Sequence, residues 1–338
     1  MLGAFFVFCY LARTAGKGFE MICVDATSLA KKITSGQRRA LARGLTLVES
    51  SQPSHQEMAL QLFSALKPAR RSFRLGVTGP PGAGKSSLIE SLVLSWVKEG
   101  DKVAILAVDP SSQRTGGSLL GDKTRMGAIA QLPNVFIRPS PTGDQLGGLG
   151  RRTSLMCSLL ERAGFGRIIV ETVGVGQSEI SASYLVDKLL LVALPGAGDE
   201  VQGIKRGLME EVDLIAVNKA DLGTSKATVA VLRSALRVFR RDVPVIEVSA
   251  HTGQGLERLG ELLSQNDSIS QPERSRGELH FFDNYMLNAV RKMLTEDSAD
   301  WAQLRDQVKS GEKDLLQVMP ELTGLLQDLR SSLEEPRD

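Results

Sequence analysis

The run FRLGVTGPPGAGKSS, Phe73 to Ser87, decides the fold of this chain. Six strand-prone residues lead into Gly79–Ser86, which fits G-x-x-x-x-G-K-[ST], and the residues beyond, SLIESLVLSWVKE, repeat apolar positions at helical spacing. Strand, glycine-rich loop and helix in that order form a phosphate cradle. Gly82 and Gly84 let the backbone curl so that successive N–H groups converge on phosphate oxygens, and the helix start adds its positive dipole end. Gly79, Gly82, Ala83, Gly84, Lys85, Ser86 and Ser87 are therefore the expected binding loop. Lys85 is placed to bridge the β- and γ-phosphates, and the Ser86 hydroxyl to ligate Mg²⁺. A bare glycine turn would not need this lysine and serine between these two elements.

Outward from this unit, short apolar runs alternate with longer amphipathic stretches: FRLGVT, KVAILAVD, NVFIRP, RIIVE, KLLLVALP, DLIAVNK and VPVIEVS. Such runs separated by helices predict parallel strands joined by right-handed crossovers and buried on both faces. The expected fold is α/β, a mostly parallel sheet flanked by helices, with ligands at the carboxyl ends of the strands. From Asp25 to about Lys67 apolar residues recur at helical spacing (Leu41, Leu45, Val48; Leu60, Phe63, Leu66), with breaks near Gly36 and Pro53. After Asn266 the strands stop, a polar stretch DSISQPERSRGE intervenes, and the remainder reads as helical. This predicts an N-terminal helical extension over 1–70, the sheet domain over 71–268 and a C-terminal helical arm over 269–338.

Of the 338 residues 42% are hydrophobic and 24% charged, enough apolar material for a sizeable core. The 41 basic and 39 acidic residues leave a formal charge of +2, so no long-range field points to nucleic acid or an anionic membrane as partner. Cys9, Cys23 and Cys157 are odd in number and widely spaced, with neither a CxxC pair nor a disulfide framework, which fits a reducing cytoplasm. His55, His251 and His280 are equally scattered and suggest no metal cluster. The opening MLGAFFVFCYLA is shorter than the roughly 18 apolar residues that span a bilayer. Its basic residues, Arg13 and Lys17, follow the apolar run, where a secretory signal has them in front. We expect translation to begin at Met21, with residues 1–20 as upstream sequence.

Which nucleotide is bound follows from DLIAVNKADL, in which a buried strand delivers Asn218, Lys219 and Asp221 as N-K-x-D. Asp221 can accept hydrogen bonds from guanine N1–H and the exocyclic amino group, a pair that adenine cannot supply. Lys219 can lie over the ring, and Asn218 can tie this loop to the phosphate loop. Downstream, VIEVSAHTGQGL offers a Ser249-Ala250 turn whose N–H groups can reach guanine O6, so GTP and GDP are the expected ligands. His251 in that turn reads as a solvated loop residue. Beside Ser86, the candidate magnesium acids stand at strand ends or in a loop: Asp109, Glu171, and Asp122 within TGGSLLGDKTRM. Each also suits a helix cap or a surface charge.

Glu171 opens ETVGVGQSE, an acidic-x-x-Gly switch in which Gly174 can offer its N–H to the γ-phosphate. Val175 stands where a Ras-like switch has a water-orienting glutamine, so hydrolysis by the chain alone should be slow, and another loop or a partner must complete the site. PGAGDEVQGIKRG is a candidate, carrying Asp199, Gln202 and Lys205 between glycines, although Lys205 and Arg206 would equally serve to cap and solvate a helix.

The blocks GPPGAGKSS, DPSSQRTGGSLLGDKTRM, IRPSPTGDQLGG, ETVGVGQSE, LPGAGDEVQGIKRG and NKADL, in this order, resemble the MeaB-type G-protein chaperones of coenzyme B12-dependent acyl-CoA mutases. The resemblance covers about Ser28 to Leu263. It implies a P-loop NTPase G domain and a Mg²⁺-dependent GTPase, slow alone and stimulated on docking to a mutase such as methylmalonyl-CoA mutase. Such a protein gates loading of adenosylcobalamin from an adenosyltransferase and helps eject inactivated cofactor. It further implies magnesium-site roles for Asp109, Asp122 and Glu171, and a contribution of Lys205 to stimulated hydrolysis, with Asp199 and Gln202 in the same partner-responsive segment. A homodimer held by the C-terminal arm is implied too. There GELHFFDNYMLNAVRKML lacks the tryptophan-rich pattern of the family's arm.

Two other readings keep the same phosphate loop. Nickel-delivering metallochaperone GTPases need thiolate or imidazole clusters, which lone cysteines and histidines do not supply. A transport-system kinase, a name that relatives of this family have also carried, needs an acceptor pocket and has no use for N-K-x-D.

Overall fold

The computed structural model describes residues 19–50, 52–67, 71–109, 126–141, 148–172, 183, 185–196, 206–239, 241–264, 303–304, 306–307 and 309–310. Three helices come first: α1 (Phe19–Thr34), α2 (Arg38–Glu49) and α3 (Pro53–Ala65). The break at Gly36 is a reversal at φ 81°, where the Gln37 N–H returns to Lys32 O and the Gly36 N–H to Ile33 O, a Schellman end that only a residue tolerating positive φ closes cheaply. Pro53 opens α3 at its first turn, where its missing N–H costs nothing. Helix α1 starts at Phe19, six residues before the expected start at Asp25 and with Met21 inside its first turn.

All seven apolar runs form strands: β1 (Phe73–Thr78), β2 (Val103–Asp109), β3 (Val135–Pro141), β4 (Arg167–Thr172), β5 (Lys188–Ala193), β6 (Leu214–Val217) and β7 (Val245–Glu247). Between them lie α4 (Lys85–Lys98), α5 (Gly127–Ala130), α6 (Gly148–Arg162), α7 (Arg206–Glu211) and α8 (Ser225–Val238), and α9 (Leu256–Ser264) follows β7. The sheet order is β3-β2-β4-β1-β5-β6-β7, and every pairing is parallel.

Alternate residues of the strands feed opposite faces. Leu75, Val77, Ile105, Ile169 and Leu190 pack under α4 and α9, around the buried Leu88, Ile89, Trp96 and Leu259. On the other face Leu106, Phe136, Ile168 and Val170 meet α6 together with α2 and α3, through Met156, Leu159, Leu45 and Leu62. The N-terminal helices and the sheet thus share one core. Farther along that face, Leu191, Ile215 and Val217 meet α7 and α8 through Leu208, Val212 and Leu232.

Arginines from neighbouring helices donate to carbonyls at both outer strands. Arg38 donates to Leu132 O (3.2 Å) and Val135 O (2.7 Å) beside β3, and Arg233 donates to Val245 O (3.2 Å) on β7. Lys188 Nζ satisfies the last carbonyls of α9, Leu262 O at 2.6 Å and Leu263 O at 3.1 Å. On β1, Arg74 is 3% exposed and grips Glu161 of α6 through two nitrogens, 3.0 and 3.1 Å from the carboxylate oxygens. Burial works against its charge, but Cys157, Glu161 and Asp187 outweigh it and hold the guanidinium pKa above its ordinary value.

The chain divides into two compact units, Met1–Leu279 and His280–Asp338. In the second, the described residues are helical, with Ser310 N–H returning to Asp306 O at 2.8 Å.

Candidate functional site

Strand β1 emerges between β4 and β5, where the chain has gone one way to β2 and β3 and later goes the other way to β5, β6 and β7. This switch point in an open parallel sheet is where a ligand cleft forms. The loop leaving β1 holds Gly79, Gly82 and Gly84 at φ 143°, 79° and 84°. A side chain at Gly79 would overlap the Val192 carbonyl of β5, so the loop leans directly on its neighbouring strand. Gly84 is the left-handed N-cap of α4, and the helix starts at Lys85, two residues before the expected SLIE. Lys85 and Ser86 thereby fall in the first helical turn, whose N–H groups and dipole face an anion.

Lys85 Nζ crosses its own loop and donates to Gly79 O (2.8 Å) and Pro80 O (3.0 Å). The Ser86 hydroxyl donates to Glu171 Oε1 at 3.1 Å, joining the phosphate loop to the end of β4. Two oxygen donors, one a carboxylate, at the mouth of an anion cradle suit a hard cation that keeps several waters, so these residues fit Mg²⁺. Asp109 ends β2, one register step past the Val108–Thr172 pair and thus at the same carboxyl end of the sheet as Glu171. Asp122, Gly174, Asp199, Gln202 and Lys205 lie outside the described residues.

Asn218 joins three loops. Buried to 2% exposure, its amide nitrogen donates to Ala83 O (2.8 Å), its amide oxygen accepts from Ala250 N–H (3.1 Å), and its backbone N–H goes to Ala193 O (3.0 Å). A side chain on Gly84 would overlap the same amide nitrogen. Lys219 follows at φ 59°, a positive φ carried by no other non-glycine among the described residues, and turns the chain so that Asp221 faces the cleft. Left-handed backbone at such a residue costs about 1–2 kcal/mol and persists where the surroundings impose it, as at ligand loops.

Asp221 accepts from the Ser249 hydroxyl at 2.6 Å. That hydrogen bond is the main reason its carboxyl pKa lies below the ordinary value, with His251 and Lys219 adding to it. The group therefore stays an acceptor, as pairing with guanine N–H groups requires. Ser249 N–H is donated to Gln254 O (2.9 Å), and Ala250 N–H is taken by Asn218, so either N–H reaches a base only by exchanging or sharing a bond already made. Asn218, Lys219, Asp221, Ser249 and Ala250 border, with Gly84 and Ser87, a cavity of about 230 Å³.

Three further residues contribute beyond those given a role in the motifs. Leu222, 64% exposed, and His251 complete the rim of that cavity. The Ser91 hydroxyl on α4 shares its one proton between Ser87 O at 3.1 Å and Ala250 O at 3.4 Å, linking the base turn to the phosphate helix. Only the apolar character of Leu222 in an otherwise polar turn marks it in the sequence. Nothing local marks Ser91.

A sequence profile described as methylmalonyl Co-A mutase-associated GTPase MeaB matches residues 41–280. A putative GTPase of Caulobacter vibrioides is 41% identical over 320 residues, 92% of this chain and 93% of that protein. The mouse protein named methylmalonic aciduria type A homolog, mitochondrial, is 36% identical over 84% of this chain and 74% of its own length. Among solved structures, one described as a LAO/AO transport system kinase superposes with a TM-score of 0.68 at 30% identity, covering 91% of this chain and 98% of the other, and shares the P-loop NTPase fold. With the phosphate loop, the N-K-x-D turn and the parallel sheet in one arrangement, this chain belongs to the MeaB family of GTPases.

Proposed function

We propose that this GTPase works as a chaperone of an adenosylcobalamin-dependent acyl-CoA mutase, coupling GTP binding and hydrolysis to loading of the mutase cofactor and to ejection of inactivated cofactor. The description of the matching profile and the name of the mouse relative support the mutase as client. For the nucleotide half, the supporting observation is Asn218, whose buried side-chain amide ties the phosphate loop to the base turn while its backbone N–H holds it to β5. A ligand spanning both loops is then sensed as a single event.

In this reading Gly79–Ser87 hold the phosphates, Lys85 bridges the β- and γ-phosphates, and Asp221, Lys219, Ser249 and Ala250 hold guanine. Ser86 and Glu171, with Asp109 and Asp122, hold Mg²⁺, which neutralises charge on the phosphate oxygens. Gly174 donates to the γ-phosphate. With valine at position 175 the chain positions water poorly, and Lys205, with Asp199 and Gln202, completes the site when the mutase docks. An adenosyltransferase supplies the cofactor, the C-terminal arm holds a homodimer, and the complex works in the cytoplasm. Among the described residues no helix is long and apolar enough to cross a membrane.

The test is GTP hydrolysis by the purified protein, alone and with each B12-dependent acyl-CoA mutase of the source organism, with ATP as control. Stimulation by one mutase is expected, and Lys205→Ala should remove it while leaving GTP binding intact. Tight GTP binding with no stimulation by any mutase would sink the chaperone reading, and light scattering checks the dimer.

A further inference from the structure

We propose that the free edge of β7 is a docking groove for an extended acidic peptide segment of a partner protein. The inference stands apart from the mutase reading. A groove of about 560 Å³, within the range of about 300–1,000 Å³ usual for ligand sites, lies between β7 and α8. Lys226, Val229, Ala230 and Arg233 of α8 line it together with Val245 and Glu247 of β7, and it shares no lining residue with the nucleotide cavity.

Backbone register decides what this edge offers. Ile215 N–H is donated to Pro244 O and Val248 N–H to Val217 O, so the even-numbered residues of β7 face β6, and Val245 and Glu247 turn their N–H and C=O groups outward. Both outward carbonyls are already covered. Arg233 donates to Val245 O at 3.2 Å, and Gly255 lies so close to Glu247 O that a Cβ there would overlap it. Two N–H donors remain, one strand repeat of about 6.6 Å apart. The opposite edge of the sheet is built differently. On β3, Val103 N–H is donated to Asn134 O, which turns the odd-numbered positions outward; Pro139 and Pro141 then have no N–H to offer, and Arg38 takes Val135 O. That edge is closed to a further chain, whereas β7 keeps its donors and a groove beside them.

Charge selects the occupant. Helix α8 runs antiparallel to β7, because Arg233 meets Val245 while Ser225, two turns earlier, donates to the Glu247 carboxylate. A cation therefore stands beside each free N–H: Arg233 at Val245, and Lys226, next to Ser225, at the Glu247 end. Both are exposed, and Lys226 has no hydrogen-bond or ion-pair partner among the described residues. Glu247, the one acid lining the groove, has its carboxylate engaged by Ser225. With acceptors covered and donors left over, the groove takes a chain whose carbonyls accept from the Val245 and Glu247 N–H groups. Carboxylates two residues apart lie on one face of such an extended chain and would meet Arg233 and Lys226 together. Val229 and Ala230, between the two cations on α8, give the acidic side chains' methylene stems an apolar bed.

The test uses the full chain with GDP and a fluorescein-labelled pentapeptide alternating valine and glutamate, valine at both ends, with its lysine counterpart as control. Fluorescence anisotropy at low ionic strength should give a Kd below about 1 mM for the glutamate peptide and binding at least about fivefold weaker for the lysine peptide. Lys226→Glu turns one contact from attraction to repulsion. It should weaken the glutamate peptide at least about fivefold and strengthen the lysine peptide, with GDP affinity unchanged. In amide NMR spectra the Val245 and Glu247 signals should shift on adding the glutamate peptide, and their hydrogen exchange should slow. Absence of binding, binding indifferent to Lys226→Glu, or binding that leaves both amides unmoved would overturn the inference. None of these outcomes depends on whether a mutase stimulates GTP hydrolysis.

Discussion

Gly84 and Asn218 are predicted to be energetically one unit. Removing the Asn218 side chain deletes two good hydrogen bonds, to Ala83 O at 2.8 Å and from Ala250 N–H at 3.1 Å; the 3.5 Å approach to Gly84 O counts for little. At about 1 kcal/mol net for each bond, plus about 1 kcal/mol for leaving the carbonyl of the fully buried Ala83 without a partner, Asn218→Ala should cost about 3 kcal/mol. Gly84→Ala first costs the left-handed backbone at φ 84°, about 1.5 kcal/mol for a residue with a Cβ. Its new methyl group also overlaps the Asn218 amide nitrogen and must displace it, forfeiting the same brace, so this variant should lose about 4.5 kcal/mol. In the double variant the overlap has nothing to strike. The sum falls from about 7.5 to about 4.5 kcal/mol, a coupling of about 3 kcal/mol where independent sites add to within about 0.5 kcal/mol. Urea unfolding without nucleotide, followed by tryptophan emission with Trp96 buried beneath the sheet, measures all four corners. Additive losses would show that the amide does not brace the loop and would remove the central support of the proposed site.

Other consequences are equally direct. Asp221→Asn should erase most of the preference for GDP over ADP while leaving unfolding unchanged, and retained preference in competition binding would refute the base assignment. Since the Ser249 hydroxyl is what chiefly lowers the Asp221 pKa, nucleotide binding should persist as pH falls until the depressed pKa is reached. In Ser249→Ala that pKa rises, so the acid limb of a GDP-binding titration should move to higher pH; an unmoved limb contradicts the hydrogen bond's role. Glu161→Ala strands the buried Arg74 charge and should cost about 3 kcal/mol, whereas Arg74→Met with Glu161→Leu should recover most of it, because the desolvation of both ions is then avoided. A double variant no better than the single would mean that Asp187 and the Leu185 carbonyl, not Glu161, balance the arginine.

The seven strands were legible because each is an apolar run buried on both faces, such as RIIVE, where Ile168 and Ile169 enter opposite cores. The chemistry of the loops was legible for a similar reason: Gly84, Lys85 and Ser86, or Asn218, Lys219 and Asp221, sit within a few residues of each other. The strand order was not, since pairing β1 with β4 and β5 leaves no local mark. Cross-chain braces were hidden likewise. Ser249 on Asp221, Ser91 on Ala250 and Lys188 on the end of α9 join residues that look like ordinary surface polar positions in their own segments. The helix start at Lys85 was misplaced by two residues, because a lysine after glycine reads as loop until the left-handed Gly84 is seen to be a cap.

The placement of β1 at the heart of the sheet also sets a timetable for synthesis. Roughly ninety residues separate Phe73 from its partner Arg167, so at about 5–20 residues per second the innermost strand leaves the ribosome about 5–20 seconds before its first neighbour exists. During that interval Leu75 and Val77 have no sheet to join, the Arg74 guanidinium has no Glu161 to pair with, and the Arg74 N–H has no Asp187 carboxylate to donate to. The nascent chain must therefore carry its phosphate-loop strand unpaired past β2 and β3, and that window is when it is most exposed to aggregation and most in need of a holding chaperone of its own.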